Sequence, residues 1–375
     1  MHAGPQYTDL ALRLPATVPF VGPEAQERKR GRGFKARVGA NENVFGPSPE
    51  AISAMRLNSA EIWKYADPEH HDLKSALAGH YGISTENIMV GEGIDGLLGY
   101  LCRLLVGEGT PVVTSLGAYP TFNYHVAGYG GTLHAVPYRD DAEDADALIA
   151  KVRETGASLC YFSNPDNPMG SWHSAEGVQD LIDSVPPRTV LCLDEAYIEF
   201  APDDASPPLD VEKPNVIRMR TFSKAYGMAG ARVGYAMGEA GLISAFNKIR
   251  NHFGMNRMAL DGALAALADR NWLEHVKGEV ALARDRIAEI ARGNGLKPLP
   301  SATNFVAVDC GGDGDFAKRL MAELVSRDVF VRMPFVSPQD RCIRISAGRK
   351  DDLDLLEEVL PQALLSAISR SPLLE

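Results

Sequence analysis

Five short runs in the middle of the chain are apolar at nearly every position and are separated by helical segments, a pattern few folds accommodate. They are Asn87-Ile-Met-Val90, Thr110-Pro-Val-Val-Thr114, Ser158-Leu-Cys-Tyr-Phe162, Thr189-Val-Leu-Cys-Leu193 and Asn215-Val-Ile-Arg-Met219. Helical patterns run from Asp95 to Leu105 and from Ser174 to Ser184. Strands that alternate with helices predict an α/β fold with a mainly parallel sheet covered on both faces. Ligands of such sheets sit beyond the C-terminal ends of the strands. Here those ends carry Gly91-Glu-Gly93, Asn164 to Gly170, Asp194-Glu195 and Thr221-Phe-Ser-Lys224.

From about Asp261 the pattern changes to long amphipathic helices, through Arg292. A second α+β unit follows, with strands near Asn304–Val308, Val329–Arg332 and Cys342–Ile345 and a last helix from about Asp351 to Ile368. With 375 residues the chain is too long for one ordinary core. The expected division is an N-terminal arm with part of a small domain (1–40), a large domain (41–260) and a small α+β domain (261–375). Pro15 to Pro23 and Phe45 to Pro49 read as connectors that wrap the large domain.

A net charge of −11 argues against nucleic acid as the main partner. The basic run Arg28-Lys29-Arg30-Gly-Arg32, with Lys35 and Arg37, reads as a solvated loop. The five cysteines are widely spaced without a Cys-x-x-Cys pair, as expected of reduced residues in a reducing compartment. The nine histidines form no metal-spaced set, and His70-His71 reads as structural. No signal-peptide plan opens the chain, and no apolar run approaches the roughly 18 residues of a membrane helix. The expected location is the cytoplasm.

Lys224 lies in a segment of hydroxyls and glycines, Thr221-Phe-Ser-Lys-Ala-Tyr-Gly-Met-Ala-Gly-Ala-Arg232. Burial lowers a lysine pKa and frees the amine for carbonyl chemistry. Thr221, Ser223 and Arg232 are donors suited to a phosphate. A Schiff-base lysine beside a phosphate cup suggests pyridoxal phosphate; a polar loop closing a glycine-rich turn is the alternative. That cofactor needs a carboxylate against its ring nitrogen. Asp194 at a strand end suits this better than Glu195, which points the other way along an extended chain. A Walker-B reading of Asp194-Glu195 fails for want of a Gly-x-x-x-x-Gly-Lys-Ser/Thr loop upstream. Asn167 and Tyr197 are donors for the ring oxygen, although Asn164 to Gly170 also reads as a tight turn. Ile94 and Asp95, opening a helix after Gly91-Glu-Gly93, offer backbone N–H groups to the phosphate. Tyr119 or Phe122 would stack on the ring.

Taken in order, Gly-Glu-Gly-Ile-Asp95, Ala-Tyr-Pro-Thr-Phe122, Asn-Pro-Asp-Asn-Pro-Met-Gly170, Asp-Glu-Ala-Tyr197 and Ser-Lys-Ala-Tyr-Gly-Met-Ala-Gly-Ala-Arg232 resemble the class I/II, fold-type I aminotransferases. The resemblance runs from Asn41-Glu-Asn43 to Arg344-Ile-Ser-Ala-Gly348. Within that family the chain is most similar to the histidinol-phosphate aminotransferase group, through Asn41 to Pro49, Lys64-Tyr65-Ala-Asp-Pro68, and Arg332 placed twelve residues before Arg344. The resemblance implies a seven-stranded, mainly parallel sheet between helices and a homodimer with shared active sites. It implies Lys224 as the cofactor-linked lysine and Asp194 at the pyridine nitrogen. Asn167 and Tyr197 are then at the phenolic oxygen and Tyr119 on the ring. Ile94, Asp95, Thr221, Ser223 and Arg232 are implied at the phosphate, with Tyr65 of the other subunit. Arg344, Arg332 and Asn43 are implied for substrate, Arg344 at a carboxylate and Arg332 at a substrate phosphate. An amino donor and a 2-oxo acid are the implied partners, by expectation histidinol phosphate and 2-oxoglutarate. Gly96, Met169 and Phe20 depart from the group's pattern. Transamination of aromatic or other amino acids, a phospho-amino-acid decarboxylase and a non-catalytic sensor are the alternative readings.

Overall fold

The computed structural model describes residues 4–16 and 21–369, so Phe20 lies outside the described residues. All five expected strands are present, shifted by one or two residues, in a seven-stranded sheet. Its order is Ile88–Gly91, Gly234–Gly238, Val216–Thr221, Val190–Asp194, Leu159–Ser163, Pro111–Ser115, Thr132–Val136. Six strands run in one direction and Gly234–Gly238 runs against them. The inner strands read Leu-Cys-Tyr-Phe-Ser and Val-Leu-Cys-Leu-Asp and are buried along almost their whole length, because helices cover both faces.

Gly93–Leu105 packs on one face through Leu97, Leu98 and Leu101, while Ala145–Thr155 and Ala175–Ser184 close the other through Leu148, Val152, Val178 and Leu181. Two helices, Arg257–Ala268 and Arg270–Gly293, lead into a three-stranded antiparallel sheet, where Phe305–Asp309 lies between Cys342–Ser346 and Lys297–Pro298. Ala36–Arg37 pairs in parallel with Val329–Phe330, tying the N-terminal segment to this C-terminal layer.

The sequence reading missed two strands of the large sheet, Thr132–Val136 and Gly234–Gly238. The first is an edge strand, half exposed, whose Thr-Leu-His-Ala-Val mixes polar and apolar residues. The second is Gly-Tyr-Ala-Met-Gly, which glycine disguises as a turn. The basic run is also corrected. Arg28–Arg30 closes the helix Pro23–Arg30, and Arg30 and Arg32 both bond Asp328, Arg32 Nε at 2.9 Å. Cys102, Cys160, Cys192, Cys310 and Cys342 are free and buried. Among the described residues no helix is long and apolar enough to cross a membrane.

Candidate active site

A cavity of about 460 Å³ opens at the C-terminal ends of the parallel strands, where the C-terminal layer faces the large sheet. Its wall includes Ile94, Asp95, Tyr119, Asn167, Asp194, Tyr197, Thr221, Ser223, Lys224, Arg232, Arg332 and Arg344. The topology explains the convergence. Ser163 pairs with Asp194 across adjacent strand ends, so Asn167 and Asp194 leave the sheet side by side. Gly234 pairs with both Gly91 and Thr221, so the one reversed strand starts where its neighbours end. Arg232, which leads into it, therefore meets the loop after Gly91 and the hydroxyls of Thr221 and Ser223.

Lys224 Nζ donates to the Asn41 carbonyl at 3.1 Å and lies 5.5 Å from the centre of the Tyr197 ring. Burial, aided by the charges of Arg344 and Arg232, lowers its pKa to about 8. Asp194 is buried and accepts from Tyr161 Oη at 2.7 Å and from the Ala196 N–H at 2.9 Å. Burial raises its pKa to about 6, against the pull of those donors and of Lys224. One side chain of this pair is thus eased toward the neutral amine, and the other is a desolvated carboxyl held by two donors.

The far wall is a hydrogen-bonded chain. Asn41 Nδ2 donates to Tyr197 Oη at 2.9 Å, and Asn167 Nδ2 reaches the same oxygen at 3.5 Å. Asn167 Oδ1 accepts from Arg344 Nη1 at 2.5 Å. Arg344 and Arg332 face each other in an antiparallel backbone bridge, Arg344 N–H to the Arg332 carbonyl at 2.6 Å, which sets both side chains on one face. Arg344 Nε is buried without a hydrogen-bond partner among the described residues.

On the opposite side, Arg232 Nη1 donates to Ser223 Oγ at 3.3 Å. Its guanidinium lies so close to Gly93 that a Cβ there would stand 2.5 Å from Nη2, and Gly93 has φ +76°. The helix Gly93–Leu105 begins at this point with no side-chain cap from Glu92, so its first N–H groups stay available to an anion.

The structure moves some expected residues. Asn43 does not line the cavity: its amide donates to the carbonyls of Lys224 and Ala225, bracing the lysine segment from behind. Asn41, two residues earlier, is the one that reaches Tyr197. Phe122 is fully buried and stacks on Tyr161 at 4.6 Å, which leaves Tyr119 as the aromatic of that loop in the cavity. Glu195 turns away into a buried cluster with Arg218 and Arg220 at 2.7 and 2.8 Å. Tyr65 does not line the cavity of its own chain; it is 78% exposed, with its ring 5.0 Å from that of Phe253. Tyr161 was missed altogether. The available signal was a phenol inside an apolar strand, which needs a partner once buried.

The profile of the family described as aminotransferase class I and II matches residues 35–360. Histidinol-phosphate aminotransferase 1 of Mesorhizobium japonicum is 35% identical over 88% of this chain and 90% of its own length. Histidinol-phosphate aminotransferase 1 of Bacillus cereus is 30% identical over 96% and 97%. The crystal structure of histidinol-phosphate aminotransferase from Sinorhizobium meliloti, in complex with pyridoxal-5'-phosphate, is 55% identical and superposes with a TM-score of 0.95 over 97% of this chain and 99% of that one.

Proposed function

The chain belongs to the class I and II aminotransferases, and from that premise we propose that it carries pyridoxal phosphate and transfers the amino group of histidinol phosphate to 2-oxoglutarate, a step of histidine biosynthesis. The observation that carries this reading is one cavity with a half-buried lysine and a buried carboxylate in its floor, an anion cradle on one side and two adjacent arginines on the other. The cradle fits a phosphate, because a side chain at position 93 would fill it and Arg232 already lies across it. Ile94 and Asp95 backbone N–H groups, Ser223 and Arg232 would hold that phosphate, Asp194 the ring nitrogen, Asn167 and Tyr197 the ring oxygen, and Tyr119 a ring face.

When bound, the cofactor supplies an electron sink. The chain's own work is done by a few groups. Lys224 Nζ, eased toward its neutral form, takes the proton from the carbon that bears the donor's amino group and later acts as the acid. Asp194 keeps a negative charge in an apolar floor, where it is least screened. Arg344, with its free Nε, presents a fork to a carboxylate. Arg332, its neighbour across the bridge, is in reach of a second anionic group. Among the described residues its Nη2 is engaged by the Val21 carbonyl at 2.9 Å, a bond that an incoming phosphate would replace.

Two chains are proposed to form the working unit, in the cytoplasm. Leu57, Ile62, Trp63, Tyr65 and Phe253 are all more than half exposed and close together in sequence or by ring contact, a surface that favours burial against a second copy. In that arrangement Tyr65 would complete the partner's phosphate cradle.

Assays with histidinol phosphate against phenylalanine test the substrate. In Arg332→Ala, kcat/KM for histidinol phosphate should fall by about 10²-fold, the effect of losing a charge-assisted contact, while phenylalanine turnover stays low and unchanged. An unaltered rate constant with the phosphorylated donor would reject the assignment. Gly93→Ala places a methyl group against Arg232 and forces a left-handed backbone that costs an L-residue about 1 kcal/mol. Cofactor affinity, read by fluorescence titration, should drop about tenfold or more. Tyr161→Phe removes one neutral hydrogen bond to Asp194, and a three- to tenfold loss of kcat is expected, about 1 kcal/mol.

A further inference from the structure

Next to Asn167 lies a pair of carboxyls, Glu143 and Asp166, that do not line the cavity and that the reaction as described does not use; the serine between them, Ser163, does line it. Ser163 Oγ bonds Glu143 Oε1 at 2.7 Å and also stands 3.3 Å from Asp166 Oδ1. Both acids are buried. Every other direct donor to them is neutral. Glu143 accepts from Ser115 Oγ at 2.6 Å and from the Ser163 N–H at 2.9 Å, and Asp166 accepts from Tyr138 Oη at 2.7 Å and the Met169 N–H at 2.8 Å. A serine hydroxyl has one hydrogen and can donate to one of its two neighbours. The other contact joins two oxygens that both carry lone pairs, and it is attractive only if a carboxyl proton lies between them. Two anions in so dry a place would also repel strongly.

Asp166 shapes the turn that carries Asn167. Its side chain takes the Met169 N–H and its carbonyl takes the Gly170 N–H, so Asn167 is held between two anchored positions. Asn167 in turn bonds Arg344 Nη1. We propose that Glu143 and Asp166, bridged by Ser163, share one proton and act as positioning residues that hold Asn167 and Arg344 in place for capture of a substrate carboxylate. The role given to Arg344 rests on the transaminase reading above; the shared proton does not.

Burial raises the pKa of both acids, and Asp166 raises that of Glu143 further through its charge. The other titratable groups around them are held neutral by burial: Tyr138, Tyr161 and Cys160 are pushed up, and His173, whose Nε2 meets the Glu143 carbonyl at 2.9 Å, is pushed down. Arg344 is the cation whose charge favours the ionised form of Asp166.

The test uses the cofactor-loaded protein as wild type, Glu143→Gln and Asp166→Asn. Infrared difference spectra at neutral pH in heavy water, wild type minus Glu143→Gln and wild type minus Asp166→Asn, should each contain the carbonyl stretch of one neutral carboxylic acid, because each variant leaves a single carboxylate. Glu199, whose pKa burial raises to about 7, is common to all three proteins and cancels. Calorimetric binding of 2-oxoglutarate, without an amino donor, should weaken about tenfold in Asp166→Asn and less than twofold in Glu143→Gln, which imitates the protonated acid. The ratio of the two dissociation constants, wild type to Glu143→Gln, should rise with pH as the wild-type pair gains its second charge; titrations shared by both proteins cancel. An infrared band that is absent from both difference spectra overturns the shared proton. Unchanged 2-oxoglutarate binding in Asp166→Asn overturns the positioning role. If the band behaves as expected while histidinol phosphate is not turned over, the acid pair stands and the substrate assignment fails.

Discussion

In Lys224→Ala, amino-group transfer is expected to run about 10⁴-fold slower than in wild type, the upper end of what a positioned base supplies. The expectation rests on what surrounds the amine. Among the described residues Lys224 Nζ has one hydrogen-bond partner, the Asn41 carbonyl, and it faces a cavity bordered by three guanidinium groups, those of Arg232, Arg332 and Arg344. The other titratable groups along that wall are otherwise engaged: burial pushes the Tyr119 and Tyr197 hydroxyls up, Asp194 lies in the floor, tied to Tyr161 and Ala196, and the His125 ring is held against Asp95 at 2.9 Å. The loss should appear in kcat with the folded state intact, because alanine leaves no unpaired charge behind. Single-turnover kinetics with the cofactor-loaded protein would check it, and a fall of only about tenfold would remove Lys224 from the proton transfer. The pKa adds a second readout. The cofactor-free protein should react with pyridoxal phosphate at a rate that climbs with pH and flattens above about 8, where an ordinary lysine would still be charged. A rate that keeps climbing well beyond that pH would mean the amine is not depressed.

Asp194→Asn is expected to lower kcat by about 10³-fold, the size of effect seen when one preorganised electrostatic partner is removed. This substitution is close to shape-neutral. An asparagine Oδ1 can still accept the Ala196 N–H, and its Nδ2 can donate to Tyr161 Oη, which is free to turn and accept. What disappears is the negative charge, in a floor too dry for solvent to replace it. Steady-state kcat beside thermal melting separates the two contributions: a melting temperature within a few degrees of wild type with activity this low assigns the loss to charge. Near-wild-type activity would mean that the ring nitrogen does not depend on Asp194.

Strand positions were legible because burial on both faces leaves an almost unbroken apolar run, and Asp194, Asn164 and Thr221 mark where three such runs stop. Lys224 and Arg232 were legible for a related reason, since a charged group amid glycine and hydroxyls has few uses in a core. The residues that were not legible act through side-chain direction. Asn41 and Asn43 are two apart, carry the same amide and leave one short segment; only the backbone path decides that the first meets Tyr197 and the second braces the lysine loop. Asn41 takes a left-handed conformation, φ 54°, which no local rule assigns to it rather than to Asn43. Phe122 and Tyr119 divided in the same way once the helix Pro120–Gly128 fixed which ring faced the sheet. Tyr161 and Glu143 were hidden because each looks, in sequence, like a residue of its surroundings, a ring among apolar residues and an acid within the acidic run Asp140 to Asp146.

The reversed strand Gly234–Gly238 places Lys224 and Arg232 on a single short excursion between adjacent strands, while Arg344 belongs to a different sheet, with Arg332 bridged to it, joined to the first by the helices Arg257–Ala268 and Arg270–Gly293. On the proposed reading, the lysine loop given to the cofactor and the two arginines given to the substrate are therefore encoded in separate stretches of the gene. A library of changes confined to 329–346 can explore new amino donors with the lysine loop untouched, and recombination at the intervening helices can exchange one set for another. For protein engineering, this chain divides into a fixed chassis and a replaceable head.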